Sequence, residues 1–127
     1  MRRLHFILGW LTVIAFLITG QLMRHHSPPL ITMSDSVRLM YRSRHIYILE
    51  AGLVHLMLGI YWQSPGGWRR SVQTGGSVLL AAAVPLLIAA FFVEPLQALA
   101  DGTKWSHFGL YSLFGGAMLH AICGIRR

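Results

Sequence analysis

Acidic residues are scarce in this chain: four Asp and Glu among 127 residues. A hydrolase built on paired carboxylates, or a two-metal centre, is hard to assemble from so few. Cysteine is scarcer still. Cys123 stands alone, which excludes an internal disulfide and says little about the compartment. Charged residues of both signs make up 12% of the chain, against about 25% in ordinary soluble domains. Also missing are a Gly-rich phosphate loop, a nucleophile elbow, a catalytic triad candidate and an HExxH pair, so no soluble-enzyme signature is present. Any activity is expected to be redox rather than hydrolytic or group transfer. No linker, low-complexity tract or second domain interrupts residues 1–127, which read as a single domain.

What fills the space is apolar. Hydrophobic residues make up 54% of the chain and concentrate in four stretches, about 4–23, 45–62, 77–93 and 105–125. Each approaches the roughly 17–25 residues that cross a bilayer's hydrocarbon core, where unpaired backbone groups force a helix. The first stretch follows Met1, Arg2 and Arg3 but exceeds a usual signal-peptide core, and LITGQLM lacks a small-x-small cleavage site. It reads as a retained helix. The expected fold is an all-α integral membrane protein, an antiparallel up-down-up-down four-helix bundle with helices 1 and 3 diagonal, and likewise 2 and 4. The lipid bilayer is its first partner.

The net charge of +7 raises nucleic acid as a partner, but its distribution argues against one. Arginines pair at the apolar boundaries: Arg2 and Arg3, Arg69 and Arg70, Arg126 and Arg127. Four crossings place these six on one side, with Arg24, Arg38, Arg42, Arg44 and Lys104 opposite, a margin of six to five. The positive-inside rule then puts both termini in the cytoplasm, in a membrane of the bacterial inner type. In the longest connection, Ser34 or Asp35 is placed to cap a short interfacial helix. The third connection carries an Asp101–Gly102 turn signal. Helix 3 has no ionisable residue and reads as scaffold, with Pro85 a candidate kink.

Seven histidines are the unusual content. In GLVHLMLG, residues 52–59, His55 lies between Gly52 and Gly59 within an apolar run. His120 continues a face through Gly109, Leu113 and Gly116, since residues three and four apart share a helix face. At 1.5 Å per residue, His55 and His120 fall at comparable heights on the two diagonal helices. His5, near the first boundary, reads as interfacial. A glycine beside an inward histidine leaves room for something flat. On these residues, H-x9-H at His45 and His55 and H-x12-H at His107 and His120, the chain resembles the b-type membrane cytochromes, in which histidines on two non-adjacent helices hold haem. The resemblance is architectural and covers helices 2 and 4. It implies haem b with His55 and His120 as axial ligands and Gly52, Gly59 and Gly116 against the porphyrin. Arg42 and Arg44 would serve the propionates, and a quinone or a redox protein would be the electron partner. The first spacing departs from that of stacked-haem cytochromes, so a second haem at His45 and His107 is less expected.

Two other readings stand beside it. Histidines can simply hydrogen-bond across membrane helices, which makes the chain a cofactor-free accessory subunit of an oligomer or larger complex. Alternatively His25, His26, His45 and His107, near one interface with Met23, Met33 and Met40, can form an outer site for copper or zinc. Glu50, a turn and a half inside helix 2, is expected to face the bundle interior or pair with an outer arginine, because an acid in lipid is costly.

Overall fold

In the computed structural model, which describes residues 1–64, 66–97 and 103–125, the chain is all-helical, with four long helices and no strand among the described residues. They are α1 (Arg2–Arg24), α2 (Asp35–Ile60), α3 (Trp68–Val93) and α4 (Lys104–Gly124), with single 3-10 turns at Leu30–Thr32 and Glu94–Leu96. The Asp101–Gly102 turn and the Arg126–Arg127 pair lie outside the described residues.

Two helices run longer than the apolar stretches suggest. Ser34 takes the N-cap position, yet the expected interfacial helix is simply the first part of a continuous α2, without a side-chain cap bond. No Gly or Pro occurs between Asp35 and Gly52 to interrupt it. α3 likewise starts at Trp68, nine residues before Ser77, and runs through Pro85. The chain enters it at Gly67, whose φ of 63° lies in the left-handed region that glycine adopts without a Cβ clash.

Close backbone approach sets the packing. A Cβ on Gly9 would lie 2.7 Å from Leu56, one on Gly59 2.7 Å from the Phe6 backbone, and one on Gly52 3.1 Å from Val13. Numbers rise along α1 as they fall along α2, so the two are antiparallel. Gly109 against Leu87 and Gly116 against Leu80 define an antiparallel α3–α4 pair in the same way. α2 and α3 join these hairpins, from His55 on Leu80 at one end to Arg44 on Glu94 at the other. A closed ring would also press α4 against α1. That contact is slight, and the helices form two tight hairpins sharing one seam. Small residues permit this in place of the leucine-rich seams of soluble bundles.

By length and composition two of the described helical segments, Arg2–Arg24 and Trp68–Leu96, are apolar enough to cross a membrane, with mean hydropathy 2.0 and 2.5. α2 carries His45, Glu50 and His55 in its apolar part, and α4 carries His107, Ser112 and His120, which dilutes both.

Candidate functional site

All four helices send polar groups to one buried layer. His5 from α1 and His55 from α2 are 0% exposed, His120 from α4 is 8% exposed, and Ser77 from α3 lies between them. His5 Nδ1 and His55 Nδ1 are 2.8 Å apart, His5 Nε2 is 2.9 Å from Ser77 Oγ, and His120 Nε2 is 3.1 Å from the same hydroxyl. His55 Nε2 donates to the Leu80 carbonyl at 3.1 Å.

That carbonyl orients the network, because it can only accept. In a neutral His55 the Nε2 proton leaves Nδ1 as an acceptor, so His5 donates from Nδ1. His5 Nε2 then accepts from the Ser77 hydroxyl, and His120 donates from Nε2 to Ser77 Oγ. The tautomers are assigned from the network. Three uncharged imidazoles fit this pattern, and among the described residues no buried side-chain nitrogen or oxygen lacks a partner. The single Ser77 proton is shared between His5 Nε2 and the Gln73 carbonyl, 3.0 Å away.

The α2–α3 connection covers this layer. The Trp62 ring lies 5.4 Å from that of His5 and 5.6 Å from that of His120. Gln73 Nε2 donates to the Gln63 carbonyl at 2.7 Å and ties the connection to α3. Beside it a cavity of about 670 Å³, lined by Trp62, Arg69, Gln73, His120 and Cys123 among others, reaches the edge of the cluster.

The structure thus brings His55 and His120 into one cluster, on the glycine-bearing faces that helical spacing indicates. The glycines have a different occupant from a porphyrin. Neighbouring helices cover Gly52, Gly59 and Gly116; a Cβ on Gly116 would stand 2.6 Å from Leu80 and 2.7 Å from the Gly76 carbonyl. Both ring nitrogens of His55 are engaged, and His120 Nε2 is held by Ser77. Helices packed this way leave no slot for a macrocycle between the two imidazoles, and haem does not fit these residues as arranged. Arg44 is committed to an acid and Arg42 is exposed, away from the cluster. The cluster's nitrogens point at separate hydrogen-bond partners and not at one centre. Among the described residues no group of three or more His, Cys, Asp or Glu is disposed to hold a metal ion.

The outer histidines do not converge. His25 and His107 are exposed. His26 meets the Tyr41 hydroxyl at 3.3 Å, while His45 bonds Thr19 at 2.9 Å and stacks on Phe16 with ring centres 4.1 Å apart.

Glu50 is exposed, contrary to the inward placement expected of it. It lies on the face of α2 away from Ile48, Ala51 and His55, which are buried. The buried acid that pairs with an outer arginine is Glu94. At 0% exposure it accepts from Arg44 Nε at 2.7 Å through one oxygen and from the Ser106 backbone N–H at 2.7 Å through the other. This pair ties α2, the start of the third connection and α4 at the end opposite the histidines.

Sequence reasoning therefore underrated His5, Ser77 and Glu94. For His5 a signal was present, because it shares a face with Gly9 and Thr12, and Arg44 likewise continues the series through Ile48, Ala51, His55 and Gly59; Ser77 and Glu94 had no such pattern. The chain matches no protein-family model, no curated protein and no solved structure.

Proposed function

We propose that the chain crosses a membrane four times and acts as a small accessory or anchor subunit of a membrane assembly, with its histidines holding helices together. The observation that carries this reading is an inverted distribution of polarity. Arg44, Glu94, His5, His55, Ser77, Thr12 and Thr19 are buried, while Leu4, Ile7, Leu11, Ile14, Leu17 and Ile18 on α1 and Phe108, Phe114 and Met118 on α4 are exposed. Water would reward the reverse, since buried charges are costly and exposed apolar surface is poorly hydrated. In lipid, an apolar exterior is solvated and polar groups find partners only inside, which makes interhelical hydrogen bonds the natural glue.

Under this reading α2 and α4 span the membrane despite their histidines, because the polar side chains on their buried faces never meet lipid. By sequence the three arginine pairs fall at the boundaries assigned to one side, six basic residues against five opposite, which supports a cytoplasmic orientation for that side under the positive-inside rule. The close fit of the glycine faces and the mutual satisfaction of the cluster favour stapling over haem ligation.

Reporter fusions and a co-purification test the proposal. Reporters fused within the α2–α3 connection and after Ile125 should both read cytoplasmic, and those near Leu30 and Thr103 should read external. A two-crossing pattern, or release of the chain by alkaline carbonate, would overturn the four-span reading. Purified in a mild detergent, the chain should bring stoichiometric membrane subunits with it; a chain that always comes away alone contradicts the accessory role.

A further inference from the structure

The buried layers leave Glu50 unexplained. It is exposed, it makes no hydrogen bond or ion pair with any described residue, and it stands inside the part of α2 assigned to the hydrocarbon. Around it lies an apolar groove between α2 and α4 of about 630 Å³, lined by Leu53, Val54, Met57 and Ala117 and reaching His120. An acid in such a place needs a donor from something that covers the groove.

The chain itself carries that donor, at the same height. His55 on α2 meets Leu80, and Leu80 meets Gly116 on α4, so residues 55 and 116 are level. α2 and α4 run in the same direction. Five residues back along each, about 7.5 Å of rise, stand Glu50 and Tyr111. A second tie agrees to within one residue: Arg44 and Ser106, six and five positions before these two, both bond Glu94. Tyr111 is 71% exposed, and its hydroxyl has no hydrogen-bond partner among the described residues. It belongs to an exposed ridge of Phe108, Tyr111, Phe114 and Met118 alongside the groove, with Phe114 69% exposed.

We propose that two copies of this chain associate through this face, the α4 ridge of each seated in the α2–α4 groove of the other, with Tyr111 donating to Glu50 across the interface. Copies inserted in the same orientation are related by a two-fold axis along the membrane normal. Such an axis preserves height, so an acid and a phenol at equal depth on one face meet twice. Within one chain the two project from different helices and make no bond. The ridge supplies apolar bulk where the groove lacks it, and the phenol supplies the donor that lipid tails cannot.

This inference rests on the membrane reading, and its test separates the two. The full-length protein with a C-terminal fluorescent tag is reconstituted into phosphatidylcholine–phosphatidylglycerol vesicles, and photobleaching steps are counted as the protein-to-lipid ratio is varied. Two-step bleaching should dominate for the wild type. Tyr111→Phe and Glu50→Ala should each weaken association about tenfold, from loss of both copies of one interhelical hydrogen bond. Tyr111→Phe removes one exposed oxygen and leaves the fold intact, which unchanged tryptophan emission will verify. A monomer at every ratio, or a dimer indifferent to both substitutions, overturns the proposal while leaving membrane insertion standing. Failure to incorporate into vesicles would instead count against the membrane reading.

Discussion

Ser77→Ala removes one oxygen and should loosen all four helices. The hydroxyl receives His120 and serves His5, and His5 in turn holds His55 on Leu80. Two interhelical hydrogen bonds disappear directly. Under the membrane reading each contributes roughly 0.6–1.7 kcal/mol, so the loss comes to about 1–3 kcal/mol. Leaving a buried imidazole N–H without a partner gives a cost of the same order. The folding equilibrium should therefore fall by roughly five- to 150-fold, since 1.4 kcal/mol is a factor of ten. Titration with SDS in mixed micelles, followed by tryptophan fluorescence, reads this directly because Trp62 lies against His5 and His120. Ser71→Ala, at an exposed position on the same helix, is the control. The effects of Ser77→Ala and His5→Ala should be less than additive, because both remove one shared bond. A Ser77→Ala midpoint equal to that of the control, or full additivity with His5→Ala, would refute the network as a structural element.

Three further outcomes follow from the same packing. Glu94→Gln should destabilise by about 3–5 kcal/mol, because it strands the buried Arg44 cation; combining it with Arg44→Met should recover much of that loss in the same titration. Gly59→Ala and Gly116→Ala should each cost about 1–3 kcal/mol, since the added carbon meets Phe6 backbone or the Gly76 carbonyl, whereas Gly66→Ala, in open space, should be neutral by thermal melting in detergent. Cys123 is buried and its Sγ contacts the Arg69 carbonyl at 3.3 Å, so a thiol dye should label it only as the helices separate, and sooner in Ser77→Ala than in the wild type.

The helical pattern was readable because four long apolar runs stand between turn-forming segments, and the inward faces of α2 and α4 were readable because glycines and histidines recur at spacings of three and four. His55 and His120 appear in one buried cluster, joined through His5 and Ser77. Chemistry was less legible. A glycine beside a histidine is equally suited to admit a flat ligand or a neighbouring helix, and only the partner's position decides: Phe6, Val13 and Leu80 occupy the spaces. His5 looked interfacial from its linear position, yet the α2–α3 connection folds Trp62 over that end and buries it. Ser77 carried no signal beyond being a small hydroxyl in an apolar helix. The arginine pair expected of Glu50 is made by Glu94, and the geometry explains why Glu50 does not make it. Glu50 is rotated roughly half a turn from His55 at 100° per residue, which already directs it outward. Glu94 follows α3 at the 3-10 turn, where no helical phase applies and only the tertiary position of Arg44 reveals its role.

On the proposed reading the histidine layer binds helices to one another and leaves no place for haem. Its most direct test is the visible absorption spectrum of the detergent-purified protein from haem-replete cells, oxidised and then dithionite-reduced. No Soret band is expected in either state. A Soret band that sharpens on reduction, at about one haem per chain, and disappears in His55→Ala or His120→Ala would contradict it and restore these residues as axial ligands.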